Sequence, residues 1–328
     1  MILLLGSSGD TNFDLVIDWL DRFQHPWLRL NADDPLLDRF SLSLSPPRLL
    51  LGDDEVDLAS IGAVWCCKLV PLARATWARR TKGRLRDDVI EQLHEEHGAV
   101  LESLRCLLGD RYWLTHASQL FVNKLEMLEY ARAAGFMVPE THLVNTREDL
   151  LRILATGEFI SKSVYEPLFW GDDDGSYSMF TTVIDPGVAR RLPDRFVPSL
   201  IQRHIRKAYE LRVFYLDGTC HAMAIFSQSH PLTAVDFRQV DWARPNRNLP
   251  FELPAEVEAA IGRFMKFTGR NCGSIDLMRD PAGGYWFLEI NPVGQFGMVA
   301  FPCNYPLFEN IAAHLIHHDH RDGLREQT

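Results

Sequence analysis

Apolar positions along the first hundred residues come in short runs separated by amphipathic stretches. Ile2 to Leu5 and Trp27 to Leu30 read as strands and Asp14 to Phe23 between them as a helix, which is a βαβ unit. Further runs at Arg48 to Leu51, Val56 to Leu58 and Ala63 to Cys67, broken by the turn Gly52-Asp53-Asp54, add short strands. A long helix then begins near Asp87, with Val89, Leu93, Val100, Leu101, Leu104, Leu107 and Leu108 recurring mostly at spacings of three and four. That stripe is a core face or a subunit interface, since both need the same pattern.

The pattern changes between Arg111 and Val122, where a domain boundary is placed. A helix from Asn123 to Ala134 is closed by Gly135. Beyond it come a strand, a helix over Arg147 to Ala155, a strand over Phe159 to Ser163, a polar loop, and a strand over Ser178 to Ile184, together a compact α+β module. In the last third, Asp217-Gly218 joins Leu211–Leu216 to Cys220–Phe226, and the turn Asp280 to Gly284 joins Gly273–Met278 to Tyr285–Ile290. A helix over Ala255 to Thr268, stopped by Gly269, lies between these hairpins, and another over Pro306 to His318 precedes a tail, Asp319 to Thr328, expected to be mobile. The chain is thus α/β at its start and α+β after it, in three domains: 1–118, 119–195 and 196–328.

Composition narrows the class. Of the 328 residues, 46% are hydrophobic and 24% charged, enough to fill large cores. A formal charge of −10 disfavours a role in coating nucleic acid. No run reaches the roughly 20 apolar residues of a membrane helix, and the six cysteines form no C-x-x-C pair. A cytoplasmic enzyme with reduced thiols is expected.

The chemistry concentrates in the last hairpin. Asp276 sits on one strand, and Glu289 and Asn291, two apart on the next, point to one face. With Asp276 in register they form a cluster of hard oxygen ligands, which suits magnesium carried by a nucleotide. An acid and an amide inside the apolar strand Trp286 to Ile290 would be costly without cations. Lys162, in the apolar stretch Phe159 to Val164, needs an anion, and a nucleotide phosphate would supply one. Lys124 opens a helix, where a cation makes sense if both address the same phosphate. Ser199 to Ile205 suits an adenine edge, with Gln202 and Ile205 as contacts. Glu210 and Arg212 share one strand face and are placed to hold a triphosphate with its metals. Arg238, in a connection also holding Arg244 and Arg247, is a candidate to receive a carboxylate or acyl phosphate. The loop Trp170 to Ser176 is a candidate lid, although its three aspartates argue against direct phosphate contact. The run His317-His318-Asp319-His320 is left out of the site, having no fixed scaffold beyond a helix end.

The order Lys124, Lys162, Gln202, Glu210-Leu211-Arg212, Asp276 and Glu289-x-Asn291-Pro292 resembles the ATP-grasp superfamily over roughly residues 119 to 316. Asn291 to Met298 followed by Cys303-Asn304-Tyr305, with Ser8-Gly9-Asp10 and Val16 to Leu20, resembles the graspetide (microviridin-type) maturases, especially the grasp-with-spasm subgroup. The resemblance implies an ATP-grasp fold with an N-terminal pre-ATP-grasp domain. It further implies a ligase that uses ATP and two magnesium ions to join Asp or Glu side chains to Ser, Thr or Lys side chains of a ribosomal precursor peptide, acting as a homodimer. In residues, it implies nucleotide binding by Lys124, Lys162, Gln202 and Ile205, phosphate or acyl-phosphate contact by Arg212 and Arg238, and magnesium at Asp276, Glu289 and Asn291. One departure stands out: Lys207 occupies the position of an acidic ribose contact in many ATP-grasp enzymes, with Glu210 as its possible substitute. A ligase for a free small acid would use the same machinery, and a nucleotide-sensing protein that kept the fold without turnover is the third reading.

Overall fold

In the first strand, β1 (Ile2–Gly6), every residue is buried. A strand with parallel neighbours and both faces covered must read as a continuous apolar run. The computed structural model describes residues 1–7, 9–32, 39–67, 86–165, 169–172, 175–228, 233, 235–238 and 245–322. Ser8, Asp173, Asp174, Arg244 and the 323–328 end of the expected tail lie outside the described residues.

These residues form two compact units. The first comprises Met1–Phe121, Pro292–Ala300 and Tyr305–Thr328. In it, β1 leads through α1 (Thr11–Arg22) to β2 (Trp27–Asn31). The helix is capped by the Asp10 side chain and buries Phe13, Val16 and Leu20. A meander of β3 (Phe40–Leu44), β4 (Pro47–Leu51) and β5 (Asp54–Asp57) follows, then β6 (Ala63–Cys66), α2 (Asp87–Leu107) and β7 (Tyr112–Leu114). The parallel sheet has the order β2-β1-β6-β7, so the opening βαβ unit is present. Of the expected α2 stripe, Leu101, Leu104 and Leu108 are buried, whereas Val89 is exposed.

The second unit is Val122–Asn291 with Phe301–Asn304. It starts with α3 (Lys124–Ala134), β8 (Thr141–Thr146), α4 (Arg147–Leu154) and β9 (Phe159–Lys162). After these come β10 (Phe169–Asp172), β11 (Gly175–Ser178), β12 (Thr182–Val183), α5 (Pro186–Ala189) and β13 (Arg195–Arg203). The stretch expected as a polar loop instead pairs with itself: β10 and β11 form an antiparallel hairpin from Phe169↔Ser178 to Asp172↔Gly175. Alternation is weak there, so the two short strands were not legible in the sequence. The module's sheet has the order β12-β9-β13-β8, and β13 sits between two partners, so it extends to Arg203.

Next come β14 (Tyr209–Leu216), β15 (Thr219–Phe226), β16 (Arg247–Phe251), α6 (Ala255–Thr268), β17 (Cys272–Arg279) and β18 (Tyr285–Asn291). They build an antiparallel sheet of order β16-β15-β14-β17-β18. Gly135 and Gly269 end α3 and α6 at φ 102° and 65°, left-handed positions that cost a glycine little. One face of this sheet packs on those two helices, with Leu211, Val213, Ile275, Leu277, Phe287 and Ile290 in a single core cluster.

The chain closes with α7 (Gly297–Cys303) and α8 (Leu307–Asp322). The last helix, in the first unit, continues past His318, where the sequence reading ended it, and packs on α1 and β6. Asp319, expected in the mobile tail, is instead tied down: its carboxylate accepts from the Gly62 N–H at 2.9 Å and lies 2.7 Å from His25 Nε2. No described helix is long and apolar enough to cross a membrane.

Candidate active site

Strand register brings the sequence candidates together within the second unit. Arg212 on β14 pairs with Asp276 on β17, and Asp276 pairs with Glu289 on β18. Three charged residues therefore lie side by side across three strands, with Ser274 and Asn291 paired two places on. The register shifts between Asp276 and Leu277, so Leu277 faces Phe287 and Leu288 is the extra residue of a bulge. The bulge reconciles two demands: Phe287 stays in the core with Leu277 while Glu289 stays beside Asp276.

Both oxygens of Asp276 accept from Arg212 Nη1, at 2.9 and 2.7 Å. Burial, with the neighbouring Glu289 charge, lifts Asp276 above the ordinary carboxylate value in spite of Arg212. Glu289 goes the other way. Burial opposes its ionisation, but Lys162, Lys124, Arg238 and Arg212 outweigh it and hold Glu289 below its usual value. Two adjacent carboxylates ringed by four cations are thus pushed apart in proton affinity.

Each cation is positioned by its element. Asn123 caps α3 by accepting from Leu125 and Glu126 N–H at 3.1 and 3.3 Å, which fixes Lys124 at the first helical position. Lys124 Nζ donates to the Ser163 and Tyr165 carbonyls at 3.0 and 2.9 Å and lies 3.9 Å from Glu289 Oε2. Lys162, at the end of β9, forms neither a hydrogen bond nor a close ion pair among the described residues; burial lowers its pKa, opposed by the Glu289 charge. A desolvated lysine facing carboxylates but not paired with them is suited to a further anion. Arg238 is gripped by Asp236, whose Oδ1 accepts from Nε at 2.8 Å and Oδ2 from Nη2 at 2.6 Å, and its pKa is raised first by that bond. Buried Asp236 also accepts from the Thr181 N–H at 3.1 Å.

The remaining candidates sit at the entry to β14. Gln202 is buried on β13, its Nε2 donating to Thr141 Oγ1 at 2.9 Å, and Ile205 is half-buried in the connection from β13 to β14. Glu210 is buried, and desolvation pushes its pKa up to about 7 against the pull of Lys207, whose Nζ lies 2.8 Å from Oε1. Lys207, read as a departure from an acidic position, is therefore the partner of Glu210. Sequence reading missed that pairing, and it missed Asp236; an acid two residues before Arg238 was the available signal.

The donor set fits magnesium, with two carboxylates and an amide from one sheet face, and the cations around it fit a nucleotide phosphate. An antiparallel four-stranded sheet, an antiparallel five-stranded sheet carrying acids and this ring of cations make a site suited to a nucleotide and its metal. No protein-family model and no curated protein matches the sequence. Among solved structures, the chain is similar to the macrocyclase MdnC bound with precursor peptide MdnA from Microcystis aeruginosa MRC, at 25% identity over 97% of this chain and 99% of that one, TM-score 0.79. It is similar to a Chryseobacterium gregarium RiPP-associated ATP-grasp ligase in complex with ADP and a leader and core peptide, at 22% identity over 96% of both chains, TM-score 0.81. It is also similar to the ATP-grasp ligase PsnB complexed with a minimal-precursor variant, Mg and ADP, at 19% identity over 97% and 98%, TM-score 0.72. Over nearly its whole length the chain shares the fold of these ATP-grasp ligases and macrocyclases.

Proposed function

We propose that this enzyme phosphorylates Asp or Glu side chains of a ribosomal precursor peptide and joins the acyl phosphate to Ser or Thr hydroxyls, forming ω-ester macrocycles with release of ADP and phosphate. The observation that carries this reading is the Asp276–Glu289 cross-strand pair ringed by Lys124, Lys162, Arg212 and Arg238. The precursor-bound MdnC structure supports the peptide as partner.

In this reading Lys124, Lys162 and Arg212 spread the charge that develops as a peptide carboxylate attacks the γ-phosphate, so catalysis is mostly positioning and electrostatics. Two magnesium ions, held by Asp276, Glu289 and Asn291, would supply Lewis-acid neutralisation of the phosphates. Gln202, Ile205 and Glu210 line the nucleoside side. Arg238 holds the acyl phosphate while the hydroxyl oxygen attacks its carbonyl; the new C–O bond forms, the phosphate leaves, and the hydroxyl proton leaves with it. Water must be kept from the activated acid, and the β10–β11 hairpin is the proposed cover. The partition into 1–118, a lid and a C-terminal catalytic domain, a cytoplasmic location and a homodimer belong to the same reading.

Mass spectrometry of a Thr/Ser/Asp/Glu-rich precursor peptide, incubated with enzyme, ATP and Mg²⁺, tests it. Losses of water that reverse in base are expected. Base-stable losses would replace ester by amide, and an unchanged peptide with ATP turnover on a free acid would replace the reading by that of a small-acid ligase.

A further inference from the structure

The Lys207 ammonium, the buried partner of Glu210, is not used by the chemistry just described. Their side chains are 3% and 7% exposed. Burying an ion pair is poor value for stability alone, because desolvation offsets the attraction. A lysine at that depth calls for a positional reason, and its second contact supplies one. Lys207 Nζ donates to the Thr233 carbonyl at 3.2 Å, and buried Thr233 donates through Oγ1 to the Ser227 carbonyl at 2.6 Å. Three residues on, Asp236 takes the Thr181 N–H and grips Arg238. The connection that carries Arg238 is therefore fastened at Thr233 to the base of β14 and at Asp236 to the residue before β12. Arg238 itself is 38% exposed and close enough to Glu289 and Asp276 for their charges to act on it.

We infer that Lys207 is a positioning residue: with Glu210 as its counter-ion it pegs Thr233 and so holds Arg238 at the carboxylate face. This rests on the reading of that face as the ligase site. It also accounts for a lysine where an acidic ribose contact was expected, since the ammonium is spent on the chain rather than on the nucleotide.

The test uses the full chain and the double variant Lys207→Met/Glu210→Gln, which leaves no lone buried charge. Thr233→Val, which loosens the same segment while leaving the ion pair, serves if the double variant does not fold. Amide exchange in a peptide spanning 233–238 should speed up in either variant while 272–279 keeps its protection. In Thr233→Val, which changes no residue placed at the nucleotide, affinity for ADP with Mg²⁺ should stay within about 2-fold, and in either variant kcat for peptide ligation should fall on the order of 10- to 100-fold. In an Arg238→Ala background the further loss should be no more than about 2-fold, since both changes remove one device. Unchanged exchange at 233–238, a loss of ADP affinity in Thr233→Val equal to its loss of kcat, or fully additive losses would each overturn the assignment. If the parent enzyme ligates no peptide, the ligase reading fails, while exchange and ADP affinity still decide the role of Lys207.

Discussion

Glu289 owes its ionised state to four cations, and Asp276 owes its fixed place to one of them, Arg212. The two acids should therefore respond differently to mutation. Glu289→Gln should cut ligation by at least about 100-fold, by analogy with removal of one preorganised electrostatic group, and leave the urea midpoint nearly unchanged. Asp276→Ala should abolish turnover as well and in addition cost about 3–5 kcal/mol in urea unfolding, because it strands the buried Arg212 guanidinium. Equal stability losses in the two variants would contradict this division. Glu210 makes a pH prediction. Its folded pKa of about 7 lies above the ordinary 4.5, so folding favours its protonated form. Its contribution to stability, about 3 kcal/mol, is present in full below pH 4.5 and is lost as pH rises through about 7. Glu210→Gln should flatten stability against pH over that window, and an unchanged slope would show that Glu210 is not buried as an acid.

At the scale of elements, the site depends on two local devices. The Asn123 cap sets the start of α3 and with it Lys124. Asn123→Ala should cost about 1 kcal/mol of stability and weaken ADP binding measurably by calorimetry; a stability loss with unchanged affinity would uncouple the cap from the nucleotide. The second device is the bulge at Leu288. Deleting Leu288 makes Phe287 and Glu289 neighbours on opposite faces, so Leu277 stays opposite Phe287 and Asp276 opposite Glu289 in a regular register. A folded protein that still binds ADP with Mg²⁺ is expected. Loss of folding would show that the bulge itself, and not only the two pairings, is required. Spacing in the sequence gave Glu289 and Asn291 a common face, but the bulge was invisible, because an extra residue in a strand shows only against its partner.

For the whole molecule, the second unit alone contains every candidate site residue from Lys124 to Asn291. Nucleotide should therefore protect that unit. ADP with Mg²⁺ at 100 times its dissociation constant should add about 2.7 kcal/mol to apparent stability, and amide exchange should place the protection in 124–165 and 272–291. The magnesium-dependent part should vanish in Glu289→Gln. Protection without magnesium equal to that with it would remove the acids from metal binding.

The chain by itself determined the elements and the chemical inventory. Helix boundaries at Asn123, Gly135 and Gly269 follow from capping preferences that act within a few residues, and the hairpin turn at Asp217-Gly218 follows from local backbone freedom. The order of lysines, acids and Glu-x-Asn was legible because strand alternation is also local. Only the tertiary structure decided who pairs with whom. Asp276 meets Arg212 across one strand border and Glu289 across the other. Glu210 meets Lys207, and Arg238 is held by Asp236. Burial and neighbouring charge set these partnerships and the resulting proton affinities, and both are sums over residues distant in sequence.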